Sequence, residues 1–171
     1  MHKIFLVMLV ILFSICYSCT KQVPNALDGD PGNSATVNVS NGWWVNISEP
    51  AFGNLTPTPT FFSTYNTAAN TTDSLWLDDH GNGYGFKCTV GLNYKSLGFS
   101  VVNSLNNYVD SYGDTNTLVT ILNGKVLPKA GHSRAGNITD SIYMLAIFSD
   151  NPTDTFTIAG TARTGFIEDD Y

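Results

Sequence analysis

His80 stands directly after two aspartates, Asp78 and Asp79, in the stretch DDHGNGYG. A histidine beside a carboxylate is the pairing that activates a serine or cysteine nucleophile. This one sits in a Gly-Asn-Gly tip, where polar residues are expected for turn formation alone. No G-x-S-x-G elbow accompanies it. His132 and Ser133 are neighbours within LPKAGHSRAGN, a stretch bounded by glycine and proline and read as a loop. Adjacent side chains rarely face one another, and a triad is defined in space rather than by sequence position. Cys88 falls in mid-strand with no base nearby, which suits a packing residue better than a nucleophile. Two separated histidines do not make a zinc site, which needs three or four ligands at recognisable spacing. No catalytic residue, metal or cofactor is expected. The chain ends ARTGFIEDDY. Glu168, Asp169 and Asp170 could pair as acid and base, but a solvated terminal charge run is the commoner outcome. Substituting His80, His132 and Cys88 together is expected to leave any activity unchanged.

The elements that must position these residues read as strands. Past Ser40 the chain is rich in Thr, Val, Tyr, Phe and Trp, punctuated by Gly, Asn and Asp. No sustained helical apolar face interrupts it. Eight runs stand out: 42–49, 58–65, 73–78, 84–92, 97–102, 116–122, 139–149 and 155–166. Trp43, Val45 and Ile47 alternate with Trp44, Asn46 and Ser48. Tyr84, Phe86, Cys88 and Val90 alternate with Lys87 and Thr89. Asn82-Gly83 and Asn123-Gly124 are hairpin dipeptides, because two-residue turns need positive φ at both central positions. The expected fold is all-β, an eight-stranded antiparallel up-and-down barrel over residues 41–171. Such a barrel leaves no open edge, and it has room for packed side chains or one small ligand. An open sandwich is the alternative.

The N-terminus carries a destination. His2 and Lys3 precede a nearly unbroken apolar run from Ile4 to Ile15, followed by Ser18-Cys19. That is the layout of a secretory signal, and the run is short for a membrane span. The cut before Cys19 resembles that of a bacterial lipoprotein, which implies a signal peptide over 1–18 and an acylated Cys19. Ser18 fits the pattern, whereas Cys16 and Tyr17 depart from it. Of the three cysteines, Cys16 leaves with the signal, and an acylated Cys19 leaves Cys88 without a disulfide partner. Two acyl chains suffice for stable anchoring. Residues 19–40 read as a tether rich in Pro, Gly, Asn and Ser, roughly 25 Å in reach. The formal charge of −6 becomes −7 once Lys3 is removed with the signal. No basic patch remains for nucleic acid. Asn38, Asn46, Asn54, Asn70 and Asn137 match glycosylation acceptors; acyl mass on Cys19 or glycan mass on asparagine separates a bacterial lipoprotein from a glycosylated secreted chain. With no acid between Cys19 and Asp28, the anchor is expected at the outer membrane, facing the periplasm.

Gly42-x-Trp44, opening the first run, resembles the G-x-W of the lipocalin and calycin families. The resemblance implies that Trp44 packs at the barrel's closed end, with Arg163 from the last strand stacked across it and Gly42 allowing close approach. The ordered segments GWWV, LWLDDHGNGYGFKCTV, LNGKVLPKAG, TDSIYMLAIFSD and ARTGFIEDDY are similar to the family of lipid-binding putative hydrolases, grouped with the calycins. The expectation is a lipid-anchored envelope protein binding a small apolar ligand, with Trp43, Phe61, Tyr84, Phe86, Phe99 and Tyr143 as candidate ligand-lining residues. Hydrolase activity, carbohydrate binding on Trp76, or a structural role beside an envelope protein partner are the alternatives.

Overall fold

The computed structural model describes residues 34–109 and 117–171. The signal peptide, Cys19 and most of the tether therefore lie outside the described residues. Nine strands run in order: β1 Asn41–Glu49, β2 Gly53–Asn54, β3 Thr60–Asn66, β4 Ser74–Asp78, β5 Lys87–Asn93, β6 Gly98–Leu105, β7 Leu118–His132, β8 Ile138–Phe148 and β9 Asn151–Ala162. Each pairs antiparallel with the next, except that β3 pairs with β1 and not with β2, a two-residue strand folded back onto the end of β1. β1 also pairs with β9, from Trp43↔Ala162 to Ser48↔Thr157. That seam turns the meander into a closed eight-stranded barrel.

Period-two alternation explains the closure. Phe62 and Thr64 of β3, Leu75 and Leu77 of β4, and Cys88 and Val90 of β5 are buried, while the residues between them are less so. With Trp43, Phe86, Phe148, Ile121, Met144 and Ile158 they fill the interior. Small barrels close around side chains in this way.

Two features depart from the sequence reading. Asn123-Gly124 is not a hairpin. It is a bulge inside the fifteen-residue β7, where Asn123 takes φ 55° and the register against β8 shifts between Leu122 and Lys125. Leu127–His132, read as loop, continues the same strand past a second shift. Nor is Asn82-Gly83 the turn between β4 and β5. Positive φ falls on His80 and Gly81, at 54° and 72°, and the Asn82 N–H donates to the Asp79 carbonyl at 2.8 Å. The tight turn is thus two residues earlier.

The barrel has two unlike ends. At one, residues 34–40, read from sequence as the last part of the tether, pack onto the domain. Val39 in the short 3-10 turn Val37–Val39 is fully buried. Thr64 inside the barrel donates to the Val39 carbonyl and accepts from the Trp43 indole at 2.8 Å. At the other end the 79–86 loop is built around Asp79. Its buried carboxylate accepts the N–H groups of Gly81, Gly85 and Phe86 at 2.7–2.9 Å. Burial pushes Asp79 above the ordinary aspartate range despite those three donors. Asn106, just past the end of β6, braces the loop, accepting from the Lys87 N–H and donating to the Gly85 carbonyl.

Candidate functional site

The second end holds an apolar cavity of about 250 Å³, lined by Ile47, Leu55, Tyr84, Phe148, Phe156 and Ile158, with Thr56 and Asn82–Gly83 beside them. Tyr84 lies flat on Phe148, with ring centroids 3.6 Å apart and planes within 1°, and tilts against Phe156. Its phenol is pushed up to about 12, first by burial and then by a hydrogen bond to Asp150. The ring is therefore a neutral wall at physiological pH. Leu55, from the connection between β2 and β3, is 44% exposed and stands at the rim.

The residues expected to line a ligand site do not converge. Tyr84 alone reaches this cavity. Trp43, Phe86 and Phe99 are core residues, buried to 4% exposure or less. Phe61 stands half-buried between Trp44 and the His80 ring, and Tyr143 is half-buried near Lys125. Trp76 is only half-exposed, shared with Tyr65 around the Lys87 ammonium at 5.5 Å from each ring. It is not a free platform for a sugar.

A family described as lipid-binding putative hydrolase matches residues 28–167. The chain belongs to this family. The match covers the whole barrel up to the terminal residues. Among curated proteins none matches the chain. Family membership makes lipid binding plausible.

The terminal segment is built differently from expectation. Arg163 does not stack over Trp44. Its guanidinium grips Asp170 with two hydrogen bonds, 2.7 Å from Nε and 2.5 Å from Nη2, and Trp44 Nε1 donates to the same carboxylate at 3.3 Å. A carboxylate bridges the cation and the indole because a guanidinium fork matches two oxygens better than a ring face. The cation over an aromatic face here is Arg134, 5.3 Å from the Tyr171 ring, which in turn meets Trp44 edge-on. Trp44 points outward; the tryptophan inside the barrel end is Trp43. Gly42 does permit close approach, since a Cβ there would fall 2.8 Å from the Phe61 ring.

The acids are not a solvated run either. Asp169 is buried, at 1% exposure. It accepts from Thr164 Oγ1 at 2.6 Å, the Ala135 N–H at 2.7 Å and Asn137 Nδ2 at 3.4 Å. Hydrogen bonds from Thr164, then the Ser133 hydroxyl, with Ala135 and Asn137 adding to them, hold it down to about 2. The tail therefore locks onto the 133–137 loop, and Ser133 serves that lock rather than His132. His132 itself is exposed and contacts the Gly136 carbonyl at 3.4 Å.

Cys88 is fully buried, and its thiol is pushed up to about 12, chiefly by burial and then by Asp79. Thiolate is the reactive form. Iodoacetamide should leave the Cys88 peptide unmodified in the native protein and alkylate it in urea, as read by peptide mass mapping. Native alkylation at the rate of a free thiol would show the strand open there. Among the described residues no group of three or more His, Cys, Asp or Glu is placed to hold a metal.

One arrangement was not visible in the sequence. His80 Nε2 lies 2.8 Å from Ser63 Oγ, and His80 Nδ1 lies 3.7 Å from Asp78 Oδ1. Ser63 comes from β3 and Asp78 from β4, directly opposite in register. Asp78 is further held by the His80 N–H at 2.9 Å, the Tyr65 hydroxyl at 2.8 Å and Lys87 at 3.3 Å. Burial alone would raise this carboxyl, but these partners outweigh it and keep it below the ordinary range.

Proposed function

We propose that the protein is a lipid-anchored envelope protein that holds the apolar end of a lipid-like ligand at the barrel mouth. The observation that carries the reading is the cavity bounded by Ile47, Leu55, Tyr84, Phe148, Phe156 and Ile158. Its volume of about 250 Å³ lies just under the ~300–1,000 Å³ typical of pockets that enclose a drug-sized ligand. It therefore suits one end of a chain, with the remainder outside. Each methylene removed from water contributes ~0.8 kcal/mol, so a few buried carbons give measurable, reversible binding. The neutral Tyr84 phenol and the edge groups Thr56 and Asn82 stand where a polar head would emerge.

The leader and Cys19 support an anchor at the outer membrane, facing the periplasm; acyl mass on the Cys19 peptide tests it, and protease shaving of intact cells tests the orientation. Ligand binding is tested at Leu55. Its exposure means that Leu55→Arg places a charge at the cavity entrance without leaving one buried in the core. The variant should weaken a fluorescent fatty-acid probe by ~10-fold or more while its melting curve stays within ~2 °C of wild type. Equal affinity in both proteins would remove the cavity from the account.

A further inference from the structure

We propose that Ser63, His80 and Asp78 form a hydrolytic site on the outer wall of the barrel, acting on short acyl esters of polar alcohols. The site is separate from the apolar mouth. Its order across the sheet is fixed by register. Gly42 pairs with Ser63, Ser63 with Asp78, and Asp78 with Lys87, while the Arg163 N–H donates to the Gly42 carbonyl. Glycine in that row lets the Phe61 ring lie close over the strand, and a concavity opens beside the serine. It holds about 270 Å³ and is lined by Asn41, Gly42, Phe61, Ser63, Arg163 and Thr164–Gly165. Its walls are mostly polar, which favours a small acyl group on a polar body over a long chain.

The three side chains have distinct parts. Ser63 is half-exposed, and the His80 side chain is 41% exposed, so both are open to a substrate. His80 is carried there by the positive-φ turn at its own position and is steadied by stacking on Phe61, at 5.4 Å between centroids. Asp78, with an 8% exposed side chain, is a positioning residue. Its charge favours a proton on Nδ1, which leaves Nε2 as the acceptor for the Ser63 hydroxyl. The 3.7 Å Nδ1–Asp78 separation is longer than a hydrogen bond; catalytic contacts without substrate are often this long and tighten when substrate covers the base.

The chemistry balances with water as the only co-reactant. Ser63 Oγ bonds to the ester carbonyl carbon as its proton passes to His80 Nε2. Collapse of the tetrahedral adduct breaks the carbon–alkoxide bond, and the departing alcohol takes that proton. Water then gives a proton to Nε2 and its oxygen bonds to the acyl carbon. The carbon–Oγ bond breaks, the proton returns to Ser63, and a carboxylic acid leaves. Asn41, on the wall of the same concavity, is the donor proposed for the developing oxyanion; Arg163, whose Nε and Nη2 are taken by Asp170, has Nη1 left for that role.

The test uses glyceryl triacetate as substrate and an alkyl fluorophosphonate as label, with peptide mapping. Wild type should release acetic acid above the buffer blank and carry the label on Ser63. Ser63→Ala should lose both with an unchanged melting curve. His80→Asn should slow acetate release by ~100-fold or more, which reverses the expectation from sequence that His80 is dispensable, and His132→Gln should match wild type. No acetate release by the wild type, label on another residue, or full activity in Ser63→Ala overturns the proposal.

Discussion

Gly160→Ala should open the barrel. Gly160 of β9 pairs with Val45 of β1 at the seam that closes the sheet. A Cβ at this position would lie 2.0 Å from the Trp44 carbonyl oxygen and 2.6 Å from the Val45 Cα. Both are backbone atoms of the neighbouring strand, so no rotamer change relieves the clash. β1 must move away from β9, and the hydrogen bonds of the seam go with it. Overpacking in a dense interior typically costs ~1–3 kcal/mol, and more where backbone must move. A loss of at least ~3 kcal/mol is expected, a large part of the ~5–15 kcal/mol that holds a domain together. Urea unfolding followed by circular dichroism measures it, with Ala159→Ser on the same strand as the control. An unchanged midpoint for Gly160→Ala would mean that the strands do not approach as closely as this.

The seam also bears on function. The two candidate sites lie at its two ends. Ile47 and Ile158, paired across it, line the apolar mouth. Gly42 and Arg163, joined at its other end, line the concavity beside Ser63. A variant that loosens the seam should lose fatty-acid binding and acetate release together, whereas Leu55→Arg and Ser63→Ala each address one.

How much of this could be read beforehand depended on the range of the interaction. Strand alternation is local. Phe86, Cys88 and Val90 against Lys87 and Thr89 gave the right inside and outside, because a half-buried strand writes its burial into every second residue. β7 hid its second half because bulges break that code. Asn123, Gly124, Pro128 and Gly131 carry the composition of a turn, and two of the residues in that stretch, Asn123 and Lys129, do take positive φ. Pairings between distant segments left no trace. Ser63 meets His80 across 17 positions, by way of a turn whose centre lay two residues from the expected one. Asp78 and Asp79, adjacent in sequence, have opposite surroundings. One binds hydroxyl, imidazole and ammonium groups on the outside; the other binds backbone N–H groups inside a loop. Composition could not separate them. Trp43 and Trp44 pose the same problem at the barrel end, and register alone decides which one is core.

Asp169→Asn should detach the tail and should do so in a pH-dependent way. Near neutral pH the Asp169 carboxylate faces only donors: Thr164 Oγ1, the Ser133 hydroxyl, the Ala135 N–H and Asn137 Nδ2. An asparagine keeps one acceptor oxygen and turns an NH₂ towards groups that themselves donate. A buried donor left without its acceptor is costly. A fall in melting temperature of roughly 5 °C or more is expected, whereas Glu168→Ala, on an exposed side chain, should shift it little. The pH dependence fixes the cause. Asp169 titrates near 2 in the folded protein, against an ordinary value of 3.8. A depressed carboxyl stabilises the fold at pH values above its unfolded pKa, and that contribution is lost as pH falls through the folded value. The gap between wild type and Asp169→Asn should therefore be full above about pH 5, shrink below about pH 4, and be smallest near pH 2. Asp79, raised by burial at the opposite end, has the opposite slope, but it is common to both proteins and cancels in the comparison. Arg134, Arg163 and Asp170 surround the tail in both as well. A gap that stays constant from pH 6 to pH 2 would mean that the asparagine disturbs packing alone, and that the charge of Asp169 does not hold the C-terminus to the 133–137 loop.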